Sequence, residues 1–154
     1  MIEQKDVIAF FDERAGEWDA GMVRSDEKIG RILDNAKVTA GSRVLDIACG
    51  TGVLIGDYLR RNVESVTAVD ISKDAVELTR RNAALNGLSD KVEVRQADVF
   101  DLLTTLAQEK KHPYDYIILD PPAFTKSGAT VKNAYRGYKE INLKAMKLLP
   151  RGGY

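Results

Sequence analysis

The 154-residue sequence sets 23 lysines and arginines against 23 aspartates and glutamates, a formal net charge of zero, which removes any chain-wide attraction to nucleic acid or to an anionic membrane. The length suffices for one domain with its own core, and the single cysteine, Cys49, leaves no internal disulfide and fits a reducing compartment. No apolar run is long enough to span a bilayer and the opening MIEQKDVIAFF lacks the marks of a signal peptide, so a soluble cytoplasmic protein is expected.

In chain order, Ile8, Phe11 and Ala15 fall on one side of a first helix, and Ile29, Ile32, Leu33 and Ala36 form a second apolar stripe. Residues 1–41 are expected to form a helical lid. Four β-branched runs follow: SRVLDI (42–47), SVTAVD (65–70), KVEVRQ (91–96) and YDYIILD (114–120). Helix-length segments separate them, at 53–62, from a Ser72 cap to a stop at Asn86-Gly87, and at about 100–110. A last helical pattern carries Ala134, Tyr138, Ile141, Ala145, Leu148 and Leu149. It runs into Gly152-Gly153-Tyr154, which reads as the start of a further strand. Strand and helix alternating at this spacing predict right-handed crossovers and a parallel sheet covered on both faces. The expectation is one α/β domain, residues 1–154, with its three-layer core in residues 42–154.

In such a sheet ligands bind beyond the carboxyl ends of the strands. Those ends read LDIACGTG, VDIS, QADVF and LDPPAF, each with an acid at or near it: Asp46, Asp70, Asp98 and Asp120. Gly50 and Gly52 permit a tight turn and close approach of a ligand to the backbone. A nicotinamide dinucleotide fits poorly, because Ile55 stands where the third glycine of G-x-G-x-x-G belongs and Asp46 would repel a pyrophosphate. A ligand with positive charge near the loop is favoured instead. S-adenosylmethionine has that charge: Asp46 would favour its methionine end, with the backbone of Ala48, Cys49, Gly50, Thr51 and Gly52 behind it. Asp70 would accept from the ribose diol, Ile71 and Val99 would sandwich the adenine, and Asp98 would take its amine.

In order, VLDIACGTG, VDIS, ADVF and DPP resemble the class I S-adenosylmethionine-dependent methyltransferases over about 110 residues. The resemblance implies a Rossmann-like α/β/α sandwich with strand order 3-2-1-4, here truncated after the fourth strand and its helix. It also implies S-adenosylmethionine as cofactor and S-adenosylhomocysteine as product. Residues up to about Ser72 are similar to small-molecule methyltransferases of the quinone-biosynthesis type. From about Asp74, RRNAALNGLS, DPPAF and RGYKEINLKAMKLLPRGGY are similar to large-subunit ribosomal RNA cytosine methyltransferases. That seam reads as a hybrid of two relatives.

Two functions fit these features: methyl transfer to a small-molecule acceptor, or a non-catalytic S-adenosylmethionine-binding hybrid or minimal core. Nucleic acid is not expected as a partner, since the charge is neutral and the RNA relatives' binding domain is absent. The catalytic cysteine of those relatives lies on a later strand, so carbon-5 cytosine methylation is not expected either. No catalytic residue is assigned and no metal site is expected, His112 reading as a solvated loop residue. Asp120 divides evenly between capping its loop and a ligand role. Phe10, Phe11 and Trp18 read as core or lid packing. Lys126, Lys132, Arg136 and Lys139 read as a solvated face or an RNA surface. An open edge at the fourth strand predicts a homodimer or strand-exchanged assembly.

Overall fold

The computed structural model describes residues 4–109, 113–124 and 131–154, the side chains of Gln4 and Trp18 excepted. His112, Lys126 and the Trp18 side chain therefore lie outside the described residues. The elements follow as α1 (Gln4–Ala15), a 3-10 turn (Trp18–Gly21), α2 (Asp26–Asn35), β1 (Arg43–Ile47), α3 (Ile55–Arg60), β2 (Ser65–Asp70), α4 (Lys73–Leu85), β3 (Val92–Gln96), α5 (Val99–Gln108), β4 (Tyr116–Leu119) and α6 (Val131–Leu148). Local chemistry sets their ends. The Ala75 N–H donates to Ser72 Oγ at 3.1 Å to start α4. The chain leaves that helix through Asn86 and Gly87, the latter at φ +66°.

The strands form one parallel sheet in the order β3-β2-β1-β4. This is the parallel sheet expected from the strand and helix pattern, in the Rossmann-like arrangement and strand order that the family resemblance implied. Alternate residues of β1 face opposite layers: Val44 joins Leu33, Tyr58, Val66 and Val76 on one side, while Leu45 and Ile47 join Leu103, Ile141 and Leu148 on the other. Burial of both faces explains why β1 and β2 are near-continuous apolar runs. α2 contributes Leu33 to the first layer, while α1 packs against α4.

The last residue is already paired. Tyr154 donates its N–H to the Asp115 carbonyl at 3.1 Å and accepts from the Ile117 N–H at 2.9 Å. Bonds from one residue to both neighbours of Tyr116 are the parallel-ladder pattern. Gly153 permits that approach, since a Cβ there would stand 3.1 Å from the Asp115 carbonyl oxygen. Among the described residues no helix is long and apolar enough to cross a membrane.

Candidate functional site

Because the four strands are parallel, their carboxyl ends share one rim, and Asp46, Asp70, Asp98 and Asp120 all stand along it. Asp46, in β1, is the deepest, with only 3% of its surface exposed. α3 returns across the sheet and brings the fully buried Tyr58 over it, so that the phenol O–H donates to Asp46 Oδ2 at 3.1 Å. Burial pushes the Asp46 carboxyl up to about 7. The Tyr58 hydrogen bond opposes that rise, and the charges of Asp120 and Asp70 add to it. Burial likewise pushes the Tyr58 phenol up, which keeps it a donor.

The loop after β1 carries three left-handed residues, Ala48 (φ 63°), Gly50 (φ 55°) and Gly52 (φ 81°). Gly52 is required twice over, by its φ and because a Cβ would lie 2.9 Å from both Ile55 Cδ1 and Thr79 Cγ2. A Cβ on Gly50 would meet nothing within 4 Å, so that side of the loop is open. Asp70 ties the loop to β2, accepting from the Gly50 N–H and the Ser72 N–H, each at 2.9 Å. Thr79 donates its hydroxyl to the Gly50 carbonyl at 3.0 Å.

A cleft of ≈ 200 Å³ opens between this loop and β4, lined by the expected residues Asp46, Ala48, Cys49, Gly50, Thr51 and Asp120. Sequence reasoning missed four further lining residues, Met22, Val53, Leu54 and Ile118. Cys49 is buried and its thiol is pushed up by burial, so it is held as a neutral thiol. Asp70, Ile71, Asp98 and Val99 continue the rim beyond the cleft. There the Gln96 side-chain amide donates to the Ile71 carbonyl at 3.1 Å. Asp98 caps α5, accepting from the Phe100 N–H at 2.8 Å, which uses part of the acceptor capacity expected to meet a ligand. A wider concavity of ≈ 620 Å³ lies against Ser65, Arg80, Lys91 and Glu93, by the amino ends of β2 and β3. It touches no residue of the glycine loop, so the smaller cleft is the candidate site.

The N-terminal segment is bound to the rim by contacts that no local pattern announced. Thr51 donates its hydroxyl to Asp19 at 2.8 Å, and Ser72 donates its own to Asp12. Arg24 donates to both carboxylate oxygens of Asp57 and, at 2.9 Å, to the Val53 carbonyl. Phe10 and Phe11 meet edge to face at 5.2 Å and do not line the cleft. On the opposite side Phe124 stacks on Tyr138 of α6 with ring centroids 4.4 Å apart, and its N–H donates to the Tyr138 hydroxyl. Among the described residues no group of three or more His, Cys, Asp or Glu is placed to hold a metal ion.

The family model described as methyltransferase small domain matches residues 26–154. The chain is 40% identical over 139 residues to ribosomal RNA large subunit methyltransferase I of Aeromonas hydrophila subsp. hydrophila, a match covering 85% of this chain and 35% of the relative. It thus spans about a third of the length of the curated relatives it matches. Among solved structures, an S-adenosylmethionine-dependent methyltransferase from Thiobacillus denitrificans in complex with S-adenosyl-L-homocysteine superposes with a TM-score of 0.62 at 19% identity, over 92% of this chain and 52% of that one. TrmN from Thermus thermophilus superposes with a TM-score of 0.65 at 22% identity, over 90% of this chain and 39% of that one.

These likenesses correct two expectations. Nucleic acid cannot be set aside as a partner, because the curated relatives are ribosomal RNA methyltransferases. The zero net charge misled because it is a sum over the chain, and binding responds to local charge. The small-molecule acceptor gains no support from the same relatives. Nor does the hybrid seam, since both the family match and the 40% identical match run across residues 72–74.

Proposed function

This chain belongs to the methyltransferase small domain family, and from that premise we propose that it is an S-adenosylmethionine-dependent methyltransferase core whose acceptor is a nucleic acid, large-subunit ribosomal RNA being the first candidate. The observation that carries the cofactor reading is Asp46, a buried carboxyl on the floor of a cleft beside an open glycine loop. A cationic group entering there gains from the carboxylate, whereas a pyrophosphate would be repelled.

Asp46 faces the cofactor's ammonium and sulfonium end, and the open side of Gly50 leaves room for its approach. Asp70 uses one lone pair of each oxygen on Gly50 and Ser72, and its remaining lone pairs serve the ribose hydroxyls. Ile71 and Val99 flank the adenine, and Asp98 lies by its amine. When bound, the cofactor supplies an electrophilic methyl group on a sulfonium. The chain's own part is to orient the partners in line and to exclude water, the work done by Met22, Ile118 and the segment tied down through Asp19 and Arg24. Asp120, exposed at the cleft mouth ahead of Pro121 and Pro122, stands on the acceptor side.

Calorimetric titration with S-adenosylhomocysteine tests the cofactor site. Asp70→Ala releases two backbone N–H groups as well as the ribose acceptor, and is expected to weaken binding about a hundredfold, near 3 kcal/mol. A folded parent that takes up no S-adenosylhomocysteine would refute the reading. Transfer of labelled methyl groups to ribosomal RNA fragments tests the acceptor, and transfer to small molecules alone would reverse that part.

A further inference from the structure

The zero net charge conceals a division. Residues 121–154 hold seven lysines and arginines against one acid, Glu140, a net charge of +6, so the first 120 residues carry −6. Most of this positive charge lies on α6, whose geometry sorts it. Ala134, Ile141, Ala145 and Leu148 face the core. Lys132, Arg136, Lys139 and Lys147, at i, i+4, i+7 and i+15, fall within an arc of about 80° on the opposite side and are all exposed. Along the axis this row runs for about 22 Å at 1.5 Å per residue.

Several cations of the sheet and its flanking helices are neutralised by neighbours: Arg24 by Asp57, Arg43 by Asp115, Arg61 by Asp34, Arg95 by Glu93. On α6 itself Lys144 pairs with Glu140, but it lies outside the row. Among the described residues, Lys132, Arg136, Lys139 and Lys147 have no carboxylate within ion-pair distance. The helix that carries the row also adjoins the segment that follows β4. Tyr138, one residue before Lys139, holds Phe124 of that segment. Tyr135, 72% exposed and one turn before Lys139, flanks the same face with a flat ring.

We infer that the outer face of α6 is the docking surface for the phosphate backbone of the acceptor RNA, leading the strand toward the mouth of the cleft. This rests on the reading that the acceptor is a nucleic acid. An unneutralised row of cations of this length matches a polyanion that runs alongside it, and three lysines with one arginine suit phosphates taken as point charges.

The test is fluorescence anisotropy with a labelled mixed-sequence single-stranded RNA of about 20 nucleotides across a salt series. Each lost phosphate contact removes about 0.7 from the slope of log affinity against log salt. The triple variant Lys132→Gln, Arg136→Gln, Lys139→Gln is therefore expected to flatten the slope by about 2 and to bind at least tenfold more weakly at low salt. S-adenosylhomocysteine titration should be unchanged, which reports an intact fold. The control triple Lys28→Gln, Arg31→Gln, Lys91→Gln removes the same charge from other exposed positions. The parent's slope in the α6 variant, an equal loss in the control, or no RNA binding by the parent would each overturn the inference. Methyl transfer is scored separately. A parent that methylates RNA although its α6 variant binds like the parent leaves the function standing without this surface; one that docks RNA on α6 but transfers no methyl group keeps the surface and loses the function.

Discussion

Replacing Asp46 by Asn should stabilise the protein at pH 8 and leave it nearly unchanged at pH 4. The carboxyl rises from an ordinary value of 3.8 to about 7 on folding, chiefly through burial. A group whose folded pKa is raised contributes stability that is fully present below the unfolded value and is lost as pH climbs through the folded one. The native state thus holds an extra proton between about pH 4 and pH 7, and stability falls across that window. About three units at 1.36 kcal/mol each amount to about 4 kcal/mol by pH 8. Asn is nearly isosteric and its oxygen can still accept from Tyr58, so it avoids the cost of a buried charge. Urea midpoints of parent and variant from pH 4 to 8 should separate progressively, and curves that stay parallel would refute the reasoning. Tyr58→Phe supplies a second check. It removes the one contact that lowers the Asp46 pKa, so the parent's transition should move to higher pH. Cofactor binding responds in the opposite sense, because an ammonium prefers the carboxylate. Affinity for S-adenosylhomocysteine should fall as pH drops below about 7, approaching tenfold per unit, and should be weaker and flat in Asp46→Asn.

Two further predictions concern the loop after β1. Gly52→Ala combines a left-handed φ of 81° with a Cβ 2.9 Å from Ile55 and Thr79, and should cost about 2–5 kcal/mol in denaturant unfolding; a loss below 1 kcal/mol would mean that the loop relaxes freely. Ala48→Gly runs the other way. It relieves an alanine at φ 63° and should gain up to about 1 kcal/mol, so a clear loss of stability would show that the alanine methyl group packs usefully.

The frame of the fold was legible because its signals are local. β2 occupies Ser65–Asp70 as the β-branched run indicated, and Ser72 caps α4 as its position before a helical stretch required. The helix after the glycine loop starts at Ile55 rather than at residue 53, because Gly52 and its neighbours first complete a turn in which the Ile55 N–H bonds to the Gly52 carbonyl. Asp46, the loop and Asp120 could be placed at one cleft because parallel strands bring their carboxyl ends to one rim. What could not be read were the partners. Tyr58 meets Asp46 only because α3 folds back over β1, and Asp12 meets Ser72 across sixty residues of sequence. A period of 2 or 3.6 marks which face of an element is buried, but not which distant side chain arrives there. The charge division was present in the sequence throughout; only the sum over the chain hid it.

That division bears on a conflict inherent in the proposed reaction. A cationic cofactor calls for acids at the rim, and the same acids repel the phosphates of an RNA acceptor. A uniformly charged surface would serve one partner at the expense of the other. Here the two demands fall on different stretches of the chain. The first 120 residues, with net charge −6, supply Asp46, Asp70, Asp98 and Asp120, the first of them buried. The last 34, at +6, place Lys132, Arg136, Lys139 and Lys147 on the outer face of α6, turned away from the core. Exposed charges separated by more than about 10 Å are largely screened from one another at ordinary salt. On this reading a strand following α6 meets its cation row, and the rim acids face the nucleotide that turns in at the cleft mouth, beside Asp120.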